Sequence, residues 1–334
     1  MGSQRIVCFG ELLLRLSAPR GEVMLQSQRL DVCVGGAEAN VAVALARFGH
    51  AVSMVSAVPA NSLGEAAAGE LRRHGVDTAD VCVRPGRMGL YFLEIGAGHR
   101  ASQIVYDRAG SAFADADAES WDWAQLLDDA HTLHVSGVTP AVGARTAAAA
   151  IAAVRAARQR GLHVVFDGNF RSKLWQAWDS DPQAILRDIF ECADTVFADH
   201  RDIGIVLGRD FAGDAGAAAP RAFASFPHLK RIVATRRTQH SVDDHELSAV
   251  MHTRTQTHTT ASHRVTAIVD RIGTGDAFAA GVLHGLTSGM DEPASLEFGL
   301  AAGCLKHSVS GDFLRLSAAD VAEFLGERRF DVRR

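Results

Sequence analysis

The chain has no apolar run near the roughly 20 residues that a membrane-spanning helix needs, so no transmembrane segment is expected. Basic residues are not in excess. Thirty-four Lys and Arg against 39 Asp and Glu leave a formal charge of −5, and no basic run is interleaved with aromatics. Nucleic acid is therefore not an expected partner. The first residues lack the apolar segment of a secretion signal, and Ile6 spoils the pattern that would make Met1-Gly2 a lipid acceptor. Cysteine is sparse and scattered: Cys8, Cys33, Cys82, Cys192 and Cys304 form no Cys-x-x-Cys pair. An odd, dispersed set predicts free thiols in a reducing cytoplasm rather than a disulfide frame or a zinc site. The 15 histidines show no paired ligand spacing, and His131 and His134 fall in a strand-like run, where they read as non-ligands. No internal repeat or low-complexity linker divides the chain.

What is present is ordinary for a globule with a sizeable core: 47% apolar and 22% charged residues over 334 positions. Arg5 to Glu11 reads as a buried first strand, Ala37 to Phe48 as a helix stopped by Gly49, Val52 to Val58 as a strand and Leu63 to His74 as a helix. From Trp121 onward strands (Thr132–Ser136, His163–Asp167, Thr195–Ala198, Arg231–Thr235) alternate with helical runs such as Ala144–Arg160, and Ala277–Ser288, Ala294–His307 and Ala318–Leu325 close the chain as helices. Such βα alternation predicts an α/β fold with a central, mainly parallel sheet and helices on both faces. Two early patches, about 12–34 and 86–110, break the rhythm with alternating strands. They are expected to form one small β-sheet, a lid over the strand ends where ligands bind, so that residues 1–334 make one domain plus a lid.

The stretch with most chemistry is Asp270 to Gly281, which carries Gly273-Thr274-Gly275-Asp276 ahead of a run of small residues. A helix start presents unpaired N–H groups and the positive end of the dipole. Gly273 and Gly275 let the backbone approach a phosphate, and Asp276 stands where a carboxylate can take a proton from a hydroxyl. That combination suits phosphoryl transfer. Read alone, the tetrapeptide also fits a plain loop with Asp276 as helix cap. Gly35-Gly36-Ala37-Glu38-Ala39-Asn40 likewise reads either as a strand–helix turn or as a place where a sugar lies on the backbone with Asn40 bonding a hydroxyl. Gly96-Ala97-Gly98-His99-Arg100-Ala101 matches a dinucleotide fingerprint formally, but a strand follows it instead of a helix, so it reads as a hairpin turn.

The run Asp-x-x-Gly-Thr-Gly-Asp-Ala-Phe-x-Ala-Gly ending at Gly281 resembles the C-terminal signature of the ribokinase-type (PfkB) carbohydrate kinases, and Gly35-Gly36-x-x-x-Asn40 resembles their N-terminal one. Across nearly the full length, Phe9 to Leu16, Gly89 to Leu93 and Val105 to Arg108 resemble the 2-keto-3-deoxygluconate kinases of that family. The resemblance implies a ribokinase-like fold and Asp276 as catalytic base beside an anion hole of Gly273, Thr274 and Gly275. It implies a sugar-acid site of Gly35, Gly36, Asn40, Tyr91, Tyr106, Arg108, Arg171 and Asp312. Tyr91 and Tyr106 are the only tyrosines, and an arginine grips a carboxylate with two parallel bonds. Val165 to Arg171 matches the family's Asp-x-Asn-x-Arg through Asp167, Asn169 and Arg171.

ATP and Mg2+ are the implied cofactors, a monovalent cation being left open. The nucleotide side is expected to involve Asn169, Arg171, Thr235, Arg236, Ser241, Gly273, Gly275 and His307. Two departures stand out. Asp199-His200-Arg201-Asp202 replaces the usual Asn-x-x-Glu, so Asp199 and Asp202 are the expected holders of hydrated magnesium. Residues 236–241 contain no glycine where relatives have a glycine-rich turn, so either side chains grip the nucleotide or the loop differs in shape. The expected activity is phosphorylation of the 6-hydroxyl of 2-keto-3-deoxygluconate. A neutral-sugar kinase of the family, or a binding protein without turnover, stands as the alternative, and a homo-oligomer is expected.

Overall fold

The computed structural model describes residues 4–326; the Met1-Gly2 reading and both ends of the 1–334 domain lie outside them. The first strand, β1 (Arg5–Phe9), shows why the core has two sides: Val7 and Phe9 belong to one apolar cluster, Ile6 and Cys8 to another. Successive strand side chains point to opposite faces, so a strand apolar at every position must be covered on both. Parallel pairing follows on each side. β4 (Val52–Pro59) and β5 (Val81–Arg84) lie to one side of β1. To the other lie β8 (Ala130–Ser136), β9 (His163–Asp167), β10 (Thr195–Phe197) and β11 (Arg231–Ser241).

The sheet does not end where the sequence suggested. The strand expected to stop at Thr235 runs on to Ser241, and residues 236–241 are strand, not a loop. They pair antiparallel with β12 (Asp244–Thr253), which carries β13 (Thr257–Thr259) and β14 (His263–Thr266) on its far edge. The extension was illegible because residues 235–240 are exposed and polar, leaving only cross-strand hydrogen bonds to hold them and no apolar alternation to betray them.

The two early patches meet in a separate four-stranded sheet of order β3 (Asp31–Gly35), β2 (Leu13–Ser17), β6 (Gly89–Glu94), β7 (Gln103–Asp107). The Gly96–Ala101 stretch is indeed the β6–β7 turn, closed by mutual Ala97–Arg100 backbone bonds. One face of this sheet carries Leu16, Phe92, Val32 and Val105, the last two exposed. The other packs Leu13, Tyr91 and Leu93 against Ile272.

Two helices, Thr274–Thr287 and Glu292–Lys306, pack so tightly that a Cβ on Gly281 would lie 2.7 Å from Gly299 Cα. This explains the small-residue run; the start of the first helix, at Thr274 and Gly275, lines one cavity with Asp167 and Phe197 at the carboxyl ends of β9 and β10.

The small sheet is tied to that start by one buried guanidinium. Arg15 of β2 donates to Asp270 Oδ2 at 2.7 Å and lies 3.0 Å from Asp312 Oδ1, with all three residues at most 4% exposed. Arg15→Met leaves both carboxylates buried without it and is expected to cost about 3–5 kcal/mol. Arg29→Met, removing a solvent-exposed pair with Asp31 at 3.5 Å, should cost under about 1 kcal/mol. Equilibrium urea unfolding compares them; equal losses would contradict the assignment.

Candidate active site

Gly273 caps the Thr274–Thr287 helix with φ +77°, a left-handed conformation, and a Cβ there would meet Asp312 O at 2.1 Å. Only glycine fits. At Gly275 a Cβ would meet nothing within 4 Å, so the backbone there faces open space. That space belongs to a cavity of about 470 Å3 lined by Asp167, Asn169, Asp199, Arg201, Asp202, Thr235, Arg237, Thr274, Gly275 and His307 among others, within the roughly 300–1,000 Å3 typical of small-molecule sites.

Asp276 is buried at the first turn, and Asn40 Nδ2 donates to its Oδ2 at 2.6 Å. Burial pushes its carboxyl up to about 7; the Asn40 bond and Arg171 oppose the rise, and Asp312 and Glu38 add to it. Among the described residues Asn40 Oδ1 is buried with no partner, an acceptor waiting for a donor. Asp202 is likewise pushed by burial up to about 6. Asp167 rises well above the carboxylate range through burial and then the charges of Asp276 and Asp202. A buried carboxyl raised by two neighbouring acids makes a site favourable to a cation. Arg171 sits close enough to favour the ionised form of each and closes an ion pair with none of them. Asn169 holds a strained φ of +36° beside it.

Several expected residues have duties the sequence did not disclose. Gly35 and Gly36 are required by the protein's own packing: a Cβ would lie 2.1 Å from Asp312 Oδ2 and 2.2 Å from Glu11 O, respectively. Asp312 accepts Tyr91 Oη at 2.8 Å besides pairing with Arg15, so both its oxygens are engaged. Arg108 is paired to the buried Glu11, which also accepts Ser111 Oγ. Tyr106 lies across from Tyr91, ring centroids 6.4 Å apart.

Asp199 and Asp202 form the capping box of the His200–Leu207 helix, Asp199 also binding the Arg201 side chain. Among the described residues no cluster of three or more His, Cys, Asp or Glu is arranged to hold a metal directly, so a hydrated ion is the arrangement the donors permit.

On the nucleotide side the alternation of β11 separates the expected residues. Thr235 and Arg237 line the cavity, while Arg236 does not and neighbours His252 instead; Ser241 is spent on Asp243 at the hairpin turn. Arg237 lies near Arg271 and Arg201 and pairs with no carboxylate among the described residues. His307 lines the cavity too, its Nδ1 on Gly303 O at 2.8 Å and burial pushing it down to about 4, so it is neutral at pH 7. Glu11, Arg15, Glu38 and Arg237 escaped the sequence reading. The legible sign for Arg15 was a charge among leucines in a strand, on the same face as Leu13 and Ser17.

A buried carboxyl beside an open helix N-terminus, with Arg171 near it and in no ion pair among the described residues, can accept an alcohol proton and hold phosphoryl oxygens. Residues 3–316 match the pfkB family carbohydrate kinase. The chain belongs to the PfkB family. It is 32% identical over 320 residues to the 2-dehydro-3-deoxygalactonokinase of Haloferax volcanii, the match covering 96% of each chain. The crystal structure of the 2-dehydro-3-deoxygluconokinase of Thermotoga maritima superposes with a TM-score of 0.90 at 37% identity, over 97% of this chain and 100% of that one. A fructokinase from Xylella fastidiosa with bound ATP shares the fold, with a TM-score of 0.77 at 23% identity over 97% and 98% of the two chains. This PfkB protein is an ATP-dependent sugar kinase with a ribokinase-like fold.

The Asp276 carboxyl titrates near 7 in the fold against an ordinary 3.8, so the folded chain retains a proton that the unfolded chain releases between those values. Stability from this group is full below the lower value and is lost as pH rises through the higher one. Asp276→Asn should therefore melt above the wild type at pH 8, with the gap narrowing steadily toward pH 5. Calorimetry across that range checks it, and a constant gap would contradict the raised value.

Proposed function

We propose that this kinase transfers the γ-phosphate of ATP to the 6-hydroxyl of 2-keto-3-deoxygluconate, giving 2-keto-3-deoxy-6-phosphogluconate. The observation that carries the reading is the buried Asp276 carboxyl, oriented by Asn40, at the first turn of a helix whose Gly275 faces open space. The terminal hydroxyl donates to Asp276 while the unpartnered Asn40 Oδ1 takes a second hydroxyl. The ionised carboxylate accepts the proton as the oxygen attacks, and the N–H groups at the Thr274–Thr287 helix start hold the phosphoryl oxygens. Asp202 and Asp167 would hold hydrated magnesium, which would supply charge neutralisation to the phosphates. Arg171 and the remaining donors of Arg108 meet the sugar carboxylate, with Tyr106 beside them. Tyr91 and Asp312 act one step back, holding Arg15. The small sheet is then the lid that excludes water from the transfer.

Support for a keto-deoxy sugar acid comes from the names of the two most informative relatives. The Haloferax protein also favours a second reading, the galactonate epimer. A coupled kinase assay over 2-keto-3-deoxygluconate, its galactonate epimer, fructose and ribose tests both. The highest kcat/KM is expected for the gluconate acid, and Asp276→Asn should lower kcat by about 10²–10⁴. Preference for a neutral sugar, or an unchanged kcat in the variant, would overturn the proposal.

Arg237 carries the nucleotide phosphates in this reading, in place of a glycine-rich turn. Arg237→Ala should raise KM for ATP about tenfold or more, since a hydrogen bond to a charged group is worth roughly 1.5–3 kcal/mol, whereas Arg236→Ala leaves it unchanged. Steady-state kinetics in ATP decide, and equal effects would remove the role.

A further inference from the structure

Lys306 is 0% exposed, although lysine is almost never fully buried without a counter-charge. It ends the Glu292–Lys306 helix, and its Nζ donates to Val309 O at 2.9 Å. Complementing a helix dipole needs no burial: an exposed lysine does that for about 0.3–1 kcal/mol. Burial places this side chain directly behind the phosphate cradle. Its Cε lies 3.5 Å from where a Cβ on Gly273 would stand, and Gly273 itself is fitted against Asp312 O. Burial is the largest influence on the ammonium and works against its charge; Asp270, Asp312 and Asp276 favour the charged form, and Arg15 opposes it. Arg15 is committed to Asp270 and Asp312, so two cations stand among three carboxyls behind the cradle, and Lys306 is the one of the two that closes no ion pair among the described residues. Negative charge arriving at the cradle then meets a fixed positive centre in a region from which water is excluded, where charges act more strongly than in solvent.

We propose that Lys306 is a built-in cation of the phosphate cradle. From behind Gly273 its ammonium stabilises charge on the transferring phosphoryl group and fixes the loop that carries Gly311 and Asp312. It touches no substrate and so is a positioning residue. Because the ammonium fills the space behind the cradle, a free monovalent cation has nothing to add there. The inference rests on the cradle reading of Gly273 to Asp276.

The test uses the full chain as Lys306→Met and Lys306→Ala. Both should lower kcat about 10- to 100-fold, in keeping with the loss of one preorganised electrostatic group, while KM for the sugar changes little. Methylammonium chloride should restore part of the Lys306→Ala rate and raise its melting temperature; choline chloride at equal ionic strength should do neither. Wild-type kcat should be the same in potassium chloride as in choline chloride, a measurement that stands even where the variants fold poorly. Folded variants with unchanged kcat, a rate loss without rescue by methylammonium, or a wild type stimulated by potassium would each overturn the proposal. A wild type that phosphorylates no sugar would instead remove the kinase reading itself, which keeps the two failures apart.

Discussion

One guanidinium holds three parts of this molecule in register. Arg15 belongs to the small sheet, Asp270 opens the loop into the cradle, and Asp312 lies on the turn after the Glu292–Lys306 helix. Asp270 also accepts the N–H groups of Ile272 and Gly311, so its two oxygens bind the cradle loop, the C-terminal turn and Arg15 at once. A buried ion pair seldom outdoes well-packed apolar groups in stability, because desolvation offsets most of the attraction. Its worth here is geometric. Apolar side chains at these positions would pack as well, but would not fix the direction of the loop that aims Gly273 and Gly275.

The same logic runs through the site. Glycines stand where carboxylates need room: Glu38 above Gly10, Glu11 above Gly89 and Asp312 above Gly35, each within 2.2 Å of the missing Cβ. Glu38 in turn accepts Ser136 N and Thr139 Oγ1. These acids orient the frame. Asp167 and Asp202 at the cavity wall, and Asp276 near Asp167, in contrast have their carboxyls pushed upward, and Arg171 and Arg237 close no ion pair among the described residues. Raised carboxyls next to arginines outside any ion pair are the kind of arrangement found at functional sites rather than in a structural frame.

Much of this was legible. Val7 and Phe9 against Ile6 and Cys8 announce a doubly covered strand, and Gly273-Thr274-Gly275-Asp276 announces a helix that begins at an anion site. The illegible parts share a cause. Arg236 and Arg237 are adjacent in sequence, and only the pairing of β11 with β12 decides which faces the cavity. Residues 236–241 resembled a loop because their strand is held by backbone bonds with polar, exposed side chains. The packing need for Gly35 and Gly36 was hidden because the neighbours that take the space, Asp312 and Glu11, are far off in sequence or lie in the loop between β1 and β2. Long-range partners of buried charges leave no local pattern to read.

The central claim is that Asp276 activates the sugar's terminal alcohol beside the Gly273–Gly275 backbone. A crystal structure of the chain with 2-keto-3-deoxygluconate and a non-hydrolysable ATP analogue tests it most directly. The account places the 6-hydroxyl oxygen within about 3 Å of an Asp276 carboxylate oxygen, on the side from which the terminal phosphate meets Gly275. A sugar bound with that hydroxyl on another side chain, Asp276 bonded only to Asn40, would contradict it.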